Sequence, residues 1–126
     1  MTTTAVSVGQ KVYELLTSNA ELMKNIDVNN IFPLIAEEGA TFPFIVFRRN
    51  GITPTYAKNE LANETVSLTV FICSKSYADS VKLAELVRGI MELHKDSYFN
   101  LITFDGITED FVEDSYIQEL TFTAIL

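Results

Sequence analysis

Two single-copy residues of this sequence have side chains that commonly transfer protons or attack as nucleophiles. His94 is the only histidine, and an imidazole can act as a general base near neutral pH. The sequence designates no serine or cysteine partner for it, and a histidine in the last turn of a helix interacts favourably with the helix C-terminus. We therefore interpret His94 as a structural residue at the end of a predicted helix.

Cys73 is the only cysteine, and a nucleophilic thiol needs electropositive surroundings that lower its pKa. It lies at the end of an apolar strand and has no electropositive neighbour but Lys75, so we expect a buried, inert thiol. One cysteine cannot form an intrachain disulfide, and no cluster of cysteine and histidine supplies the ligands of a zinc site.

Four carboxylates near the end of the chain could bind calcium or act as an acid pair: Glu109, Asp110, Glu113 and Asp114. The spacing of an EF-hand loop is missing, and adjacent acids between strands usually form a solvated turn. The five glycines are scattered and form no phosphate-binding loop. We predict no catalytic residue, cofactor or metal, with a metal at these carboxylates as the minority alternative.

The charge of the chain argues against a protein that wraps nucleic acid. Nine basic residues are outnumbered by seventeen acidic ones, for a net charge of −8, whereas neutralising phosphates requires lysine and arginine. An acidic surface could still line a passage through which DNA slides without sticking.

The composition is typical of one globular domain. Hydrophobic residues make up 48% and charged residues 21% of the 126 positions. No apolar run approaches the ~20 residues that cross a bilayer. The N-terminal segment MTTTAVSVGQ has neither a basic region nor a long apolar region, so we expect no secretory signal and residence in the cytoplasm.

The elements that position these residues are organised around residues 64–95, where a strand turns directly into the longest predicted helix. Aliphatic residues alternate with polar ones over residues 66–72, the pattern of a sheet with one buried face. Ser76 and Asp79 form a capping box that predicts the start of the helix.

The apolar residues of this helix cover an arc of roughly 200°, about twice the stripe that one buried face requires. One sheet cannot cover that width, so the remainder must be buried by the other helix of the chain or by another copy of the chain. The opposite face carries charges three residues apart, and we expect it to be solvated and free of catalytic residues.

The other elements have weaker patterns. Ser7 and Gln10 predict a capped amphipathic helix, and the apolar run around Pro33 is assigned to a sheet edge or to irregular structure. The apolar run that starts at Phe42 predicts a strand buried on both faces. Residues 50–63 have turn residues and no periodicity, and we interpret them as a long loop that serves as an interaction arm.

Two strands close the chain, and the last one alternates an apolar row with a threonine-rich outward row: Leu120, Phe122, Ala124 and Leu126 against Glu119, Thr121, Thr123 and Ile125. The order of the elements predicts an α+β fold, a mainly antiparallel β-sheet with two helices packed on one face. The outer face of the sheet would stay open to solvent or to a partner.

An N-terminal helix, VGQKVYELLTSNAELM, is followed by NIFPLIAEEGATFPFIVFRR, the strand VSLTVFICS, the helix SYADSVKLAELVRGIMEL and a closing pair of strands. This succession resembles the tail-completion, or tail-terminator, proteins of long-tailed bacteriophages and prophages. The resemblance spans nearly the whole chain and includes Pro43, Phe44, Ser76, Ala78 and Leu86, without an invariant chemical signature. The acidic stretch TEDFVEDS departs from it, since we expect a shorter connection before the last strand.

The resemblance implies a non-enzymatic structural protein of a phage or prophage tail or neck, assembled in the cytoplasm of the bacterial host. Family members form a ring, typically a hexamer, that terminates the tail tube, joins it to the head-completion proteins and lets DNA pass. A small-molecule-binding α+β regulatory module, with a pocket on the same helix face, is the alternative. Neither function involves a membrane or sequence-specific binding of nucleic acid.

The resemblance implies that the wide apolar helix surface and the long loop make subunit contacts and that an acidic surface lines the channel, but it has no motif that assigns individual residues. The candidate subunit contacts are Tyr56, Lys58 and Leu61 in the long loop and Leu83, Leu86 and Ile90 on the helix. The candidates for a lumen or acidic surface are the four carboxylates Glu109, Asp110, Glu113 and Asp114.

Overall fold

A computed structural model of the protein describes residues 4–126, so the first three residues of the segment assessed for a secretory signal lie outside the described residues. The helices are α1 (Val8–Thr17), α2 (Ala20–Met23) and α3 (Tyr77–Met91). The strands are β1 (Ile31–Pro33), β2 (Phe44–Ala57), β3 (Glu60–Ser74), β4 (Leu101–Val112) and β5 (Ser115–Ile125). Short 3₁₀ turns, Ala5–Ser7 and Val28–Asn30, precede α1 and β1.

The five strands form one sheet in the order β1-β2-β3-β5-β4. β3 pairs antiparallel with β2 and β5, β5 pairs antiparallel with β4, and β1 runs parallel to β2. Helices α1 and α3 pack on the same face of this sheet. The structure therefore confirms the predicted α+β fold, a mainly antiparallel sheet with two helices on one face.

The alternation predicted for β3 is present. Val66, Val70 and Ile72 are fully buried, and Leu68 nearly so, because they face the helices. Burying an aliphatic side chain of this size contributes about 1.5–3 kcal/mol. β3 therefore lies at the centre of both the sheet and the hydrophobic core.

Helix α3 begins where the sequence predicts, since the Asp79 amide donates to Ser76 Oγ over 3.3 Å. Its end differs from the prediction, because the helix stops at Met91 and does not continue to Lys95. Leu93 has a left-handed backbone with a φ of 62°. This conformation turns the chain out of the helix and toward β4.

The capping box predicted for α1 is not formed. Ser7 makes no side-chain hydrogen bond to the amides of the helix. Thr4 caps the preceding 3₁₀ turn instead, by accepting a hydrogen bond from a backbone amide over 3.1 Å. The apolar face of the helix is as predicted, with Val8, Val12 and Leu16 buried.

The strand β1 lies at the edge of the sheet, one of the two placements that Pro33 favours, because proline lacks a backbone donor. The prediction that the next strand is buried on both faces was wrong. Ile45 and Phe47 of β2 face the helices and are buried, whereas Val46 faces the other side and is half-buried. Helices cover only one face of the sheet, so alternate residues of β2 stay accessible.

Two predicted connections are β-structure. Residues 50–63 are not a loop, because they complete a β2–β3 hairpin whose turn is formed by Lys58 and Asn59. The stretch TEDFVEDS likewise belongs to the β4–β5 hairpin, with Glu113 and Asp114 as the turn. All four turn residues have positive φ, between 52° and 66°, the conformation that two-residue type I′ turns require.

Candidate assembly surfaces

The β2–β3 hairpin extends beyond the body of the sheet as a two-stranded ribbon, residues 53–63. In chain order, the pairing of β3 with β5 begins only at Thr65, so the preceding residues pair with β2 alone. Every residue of the ribbon is exposed. Tyr56 and Leu61 lie opposite each other in the ladder, so their side chains share one face. They are 66% and 43% exposed. Three candidate contact residues, these two and Lys58 in the turn, therefore lie together on the ribbon.

The other three candidate contact residues lie on α3 and face the core of their own chain. Leu83 is 2% exposed, and Leu86 and Ile90 are partly buried against the hydrophobic cluster. The sheet covers one side of the apolar arc of α3, and α1 and α2 cover the other. The helices of the chain thus explain the width of the arc, and Leu83 is not accessible to a second copy.

The four carboxylates do not form one acidic cluster. Glu109 and Asp110 are consecutive residues of β4, so their side chains lie on opposite faces of the sheet. Glu113 and Asp114 form the exposed turn. The prediction of a single solvated turn was therefore wrong for the first two. Within residues 4–126, no three histidine, cysteine or acidic side chains are grouped so that they could hold a metal.

Glu109 takes part in a polar contact between the β4–β5 hairpin and the start of α3. Its carboxylate accepts hydrogen bonds from Gln118 Nε2 at 3.0 Å and from the Tyr77 hydroxyl at 2.9 Å. The Gln118 amide also donates to the buried Ser80 Oγ at 3.2 Å. The bonds from Gln118 and Tyr77 lower the pKa of Glu109, and its carboxylate raises the pKa of Tyr77. No sequence pattern pairs these elements, so sequence reasoning missed the contact.

Three further contacts involve the tip of the same hairpin. The ring of Tyr116 packs against Tyr77 with 5.5 Å between centroids and against Phe111 with 4.9 Å. Lys75 Nζ donates to the backbone carbonyl of Asp114 at 3.0 Å. The turn of the β4–β5 hairpin is thereby connected to α3 and to the residue that follows β3.

The sheet face opposite the helices is open, as predicted, and a polar band crosses it. Asn50 Nδ2 donates to Thr69 Oγ1 at 2.7 Å and to Ser67 Oγ at 3.2 Å. Asn50 is the unpaired residue of a bulge between Arg49 and Gly51 in β2, and it lies on the same face as these hydroxyls. The sequence suggested the threonine row through its alternation but gave no signal for the bulge.

A groove of about 570 Å³ lies at the edge of the sheet, between α1 and β1. Gly9 and Tyr13 line it from α1, Phe32 and Phe47 line it from the strands, and Glu37 borders it. Its volume is within the range of about 300–1,000 Å³ that is typical of ligand sites. Sequence reasoning did not find this groove, because its walls come from elements that are separate in the chain.

The fold can be compared with a solved structure over nearly its full length. It is similar to a chain of the virion of a native gene transfer agent (GTA) particle. The TM-score is 0.79, and the match covers 96% of this chain and 96% of that chain at 14% sequence identity. At this level of identity the likeness shows a shared fold. No protein-family model matches the sequence, and no curated protein matches it.

The contacts of Cys73 and His94 indicate structural roles for both residues. Burial raises the pKa of the Cys73 thiol to about 11, so the thiol is protonated at neutral pH and weakly nucleophilic. His94 lies beyond the end of α3, where the prediction of a last-turn position was wrong, and its Nε2 is 2.7 Å from Asp96 Oδ2. Burial opposes ionisation of Asp96, but hydrogen bonds from the Phe99 amide, His94 and the Tyr98 amide lower its pKa. These contacts fix the connection between α3 and β4.

Over residues 4–126, the helices are too short or too polar to cross a bilayer.

Proposed function

We propose that the protein is a non-enzymatic structural component of a phage or prophage virion. In this proposal residues 1–126 act as one tail-completion-like domain that forms a ring, terminates the tail tube and joins it to the head. The observation that carries the proposal is the fold likeness, over 96% of both chains, to a chain of a GTA virion. The order of sequence elements, which resembles that of tail-completion proteins, supports it separately.

The surfaces of the molecule favour assembly. A ring requires two different complementary surfaces on each subunit, because only a heterologous contact repeats around a closed circle. The ribbon and the groove are two such surfaces, and the open sheet face is a third candidate for contact with a partner. Exposed apolar groups next to polar ones, such as Tyr56 and Leu61 beside Lys58, are typical of interaction sites.

The charge supports a passage for DNA. With a net charge of −8, the protein repels phosphates on average, so DNA moves past it without sequence-specific binding. Asp110, Glu113 and Asp114 are the carboxylates available to a lumen, since Gln118 and Tyr77 engage Glu109. The ring assembles in the host cytoplasm and contacts the tail tube and the head-completion proteins in the neck of the virion.

Native mass spectrometry and electron microscopy of the full-length protein, alone and mixed with purified tail tubes, test this function. We expect a closed ring, and one ring at the open end of each tube. Tubes from completed tails, whose ends are already occupied, are the control and should bind none. A protein that stays monomeric at high concentration and does not bind tubes would contradict the proposal.

The groove favours a second candidate, the small-molecule-binding regulatory module. The predicted helix face does not form its pocket, because Leu83 is buried and Leu86 and Ile90 pack against the core of their own chain. The groove at β1 has a volume typical of ligand sites. A ligand at a hundred times its Kd would stabilise the fold by about 2.7 kcal/mol, which a thermal-shift screen of metabolites detects. Gly9→Leu, which adds a side chain to the groove wall, should abolish the shift.

A further inference from the structure

We propose that the ribbon of one copy docks into the groove between α1 and β1 of the next copy. Tyr56 and Leu61 then lie against the apolar walls of the groove, and Lys58 lies beside Glu37. This inference rests on the proposed ring function and identifies the contact that would build the ring. The occupant of the groove is a second copy of this chain.

The apolar surfaces of ribbon and groove match. Tyr56 and Leu61 form one cross-strand pair on one face of the ribbon, and both side chains are exposed. Cores of protein interfaces are enriched in such aromatic residues and depleted of charge. In the groove, Tyr13, Phe32 and Phe47 provide aromatic walls, and Gly9 leaves space beside them. At about 570 Å³, the groove is large enough to enclose an aromatic ring and the aliphatic side chain next to it.

Lys58 is complementary to the acidic border of the groove in the same arrangement, and Glu60 is the acidic residue of the ribbon. Lys58 is the basic residue of the ribbon sequence and occupies its turn. Glu14 and Glu37 line the groove. Glu14 Oε2 lies 3.8 Å from Lys11 Nζ, whereas Glu37 has no ion-pair partner in the part of the chain that the structure describes. We therefore assign Glu37 as the carboxylate that meets the lysine.

The ribbon cannot reach the groove of its own chain. The strand β1 borders the groove and pairs with residues 45–47 at the start of β2, whereas the ribbon contains the opposite end of β2. Tyr56 lies nine positions after Phe47 along β2, a distance of roughly 30 Å at 3.3 Å per residue. The contact must therefore join two copies. Because it uses a different surface on each copy, it repeats from subunit to subunit and closes into a ring when the rotation permits.

A charge exchange tests the contact in the full-length protein. We expect Lys58→Glu and Glu37→Lys each to lower the ring fraction at least tenfold in native mass spectrometry, because each places like charges together. The double variant should restore ring formation. Lys82→Glu, a charge reversal at an exposed position of α3, is the matched control and should leave the rings unchanged. Thermal unfolding should show that all these variants remain folded.

Cross-linking tests whether residue 58 of one copy lies close to residue 37 of the next copy. Lys58→Cys combined with Glu37→Cys, treated with a short bismaleimide, should give a covalent ladder that ends at the ring size. Each single variant should give no ladder, since the contact joins unlike surfaces. Cys73 is buried and should react little with the cross-linker. Treatment of the wild-type protein measures this background reaction.

The outcomes separate this contact from the function on which it rests. Rings that form equally well in Lys58→Glu, Glu37→Lys and Tyr56→Ala would overturn the docking and leave the ring function standing. A wild-type protein that forms no ring, alone or on tail tubes, would overturn both. Single variants that lose the ring without rescue by the exchange, together with no cross-linked ladder, would overturn the pairing of Lys58 with Glu37.

Discussion

The two β-hairpins of this protein have the same turn but different supports. Each turn consists of two non-glycine residues with positive φ, Lys58 with Asn59 and Glu113 with Asp114. Contacts from α3 and from the residue after β3 hold the tip of the β4–β5 hairpin, whereas the ribbon pairs within itself and is exposed on all sides. A hairpin of this protein can therefore pair its strands without being buried. The β4–β5 hairpin is part of the folded body, whereas the ribbon projects from it.

The largest expected effect is a difference in unfolding free energy between two alanine variants, each of which replaces an aromatic residue in one of the hairpins. Phe122 in β5 is fully buried, so Phe122→Ala should lower the free energy of unfolding by about 3–5 kcal/mol. Tyr56 is exposed, so Tyr56→Ala should change it by no more than about 0.5 kcal/mol. Urea denaturation followed by circular dichroism measures both variants. Equal losses would mean that the ribbon contributes to the core.

A smaller effect is expected where the β4–β5 tip meets α3. Gln118→Leu keeps the approximate shape of the side chain but removes the donor to the buried Ser80, so it should cost about 1–3 kcal/mol of unfolding free energy. Tyr77→Phe removes an exposed bond to Glu109 and should cost less. Denaturation of the two variants decides this prediction. A Gln118→Leu protein as stable as the wild type would show that other contacts hold the tip.

The pH dependence of stability should report the same contact. Folding holds the pKa of Glu109 below its ordinary value of 4.5, chiefly through the bond from Gln118. Its ionised carboxylate therefore stabilises the fold above that value, and this contribution is lost as the pH falls through the folded-state pKa. The stability difference between the wild type and Glu109→Gln should be constant at neutral pH and shrink below about pH 4.5.

Thermal unfolding between pH 3 and pH 7 measures this difference. The same Glu109→Gln change in a Gln118→Leu background is the control, and it should give a weaker pH dependence. A difference that stays constant across the range would contradict the assignment.

The smallest expected effect comes from the turns. Asn followed by Gly is favoured in type I′ turns, so Lys58→Asn with Asn59→Gly, and separately Glu113→Asn with Asp114→Gly, should each stabilise their hairpin by less than about 1 kcal/mol. In the β4–β5 hairpin the gain should raise the global unfolding midpoint. In the ribbon it should slow amide hydrogen exchange of ribbon residues and leave the midpoint unchanged, because the ribbon can open alone. Equal midpoint shifts would contradict this separation.

The sequence predicted those parts of the fold in which burial selects the residues. Residues 66–72 of β3 alternate because one face packs against helices, and the same holds for Leu120 and Phe122 in β5. The ribbon was missed because both of its faces lie in solvent, so no burial selects alternate residues. Its remaining signals are the β propensity of residues such as Thr55 and Tyr56 and the tolerance of Asn59 for positive φ.

The candidate residues on α3 show a different limit of sequence reasoning. The apolar arc predicted that something beyond the sheet covers the helix, but the pattern could not choose between a second copy and the helices α1 and α2. The structure places Leu83 under its own chain. Glu109 was predicted as a solvated acid, and no local pattern could reveal its bond to Gln118, because β-pairing and the packing of α3 together bring these groups into contact.

The strand β4 forms the border of the sheet opposite β1 and carries Asp105, Glu109 and Asp110, with a bulge in its ladder between Phe104 and Gly106. A flat, uncharged border would template the addition of further strands and lead to fibres. Here like charges repel the borders of neighbouring molecules, and the bulge disturbs the register that they would need to share. Folded molecules of this protein can therefore reach high concentrations without aggregating side by side.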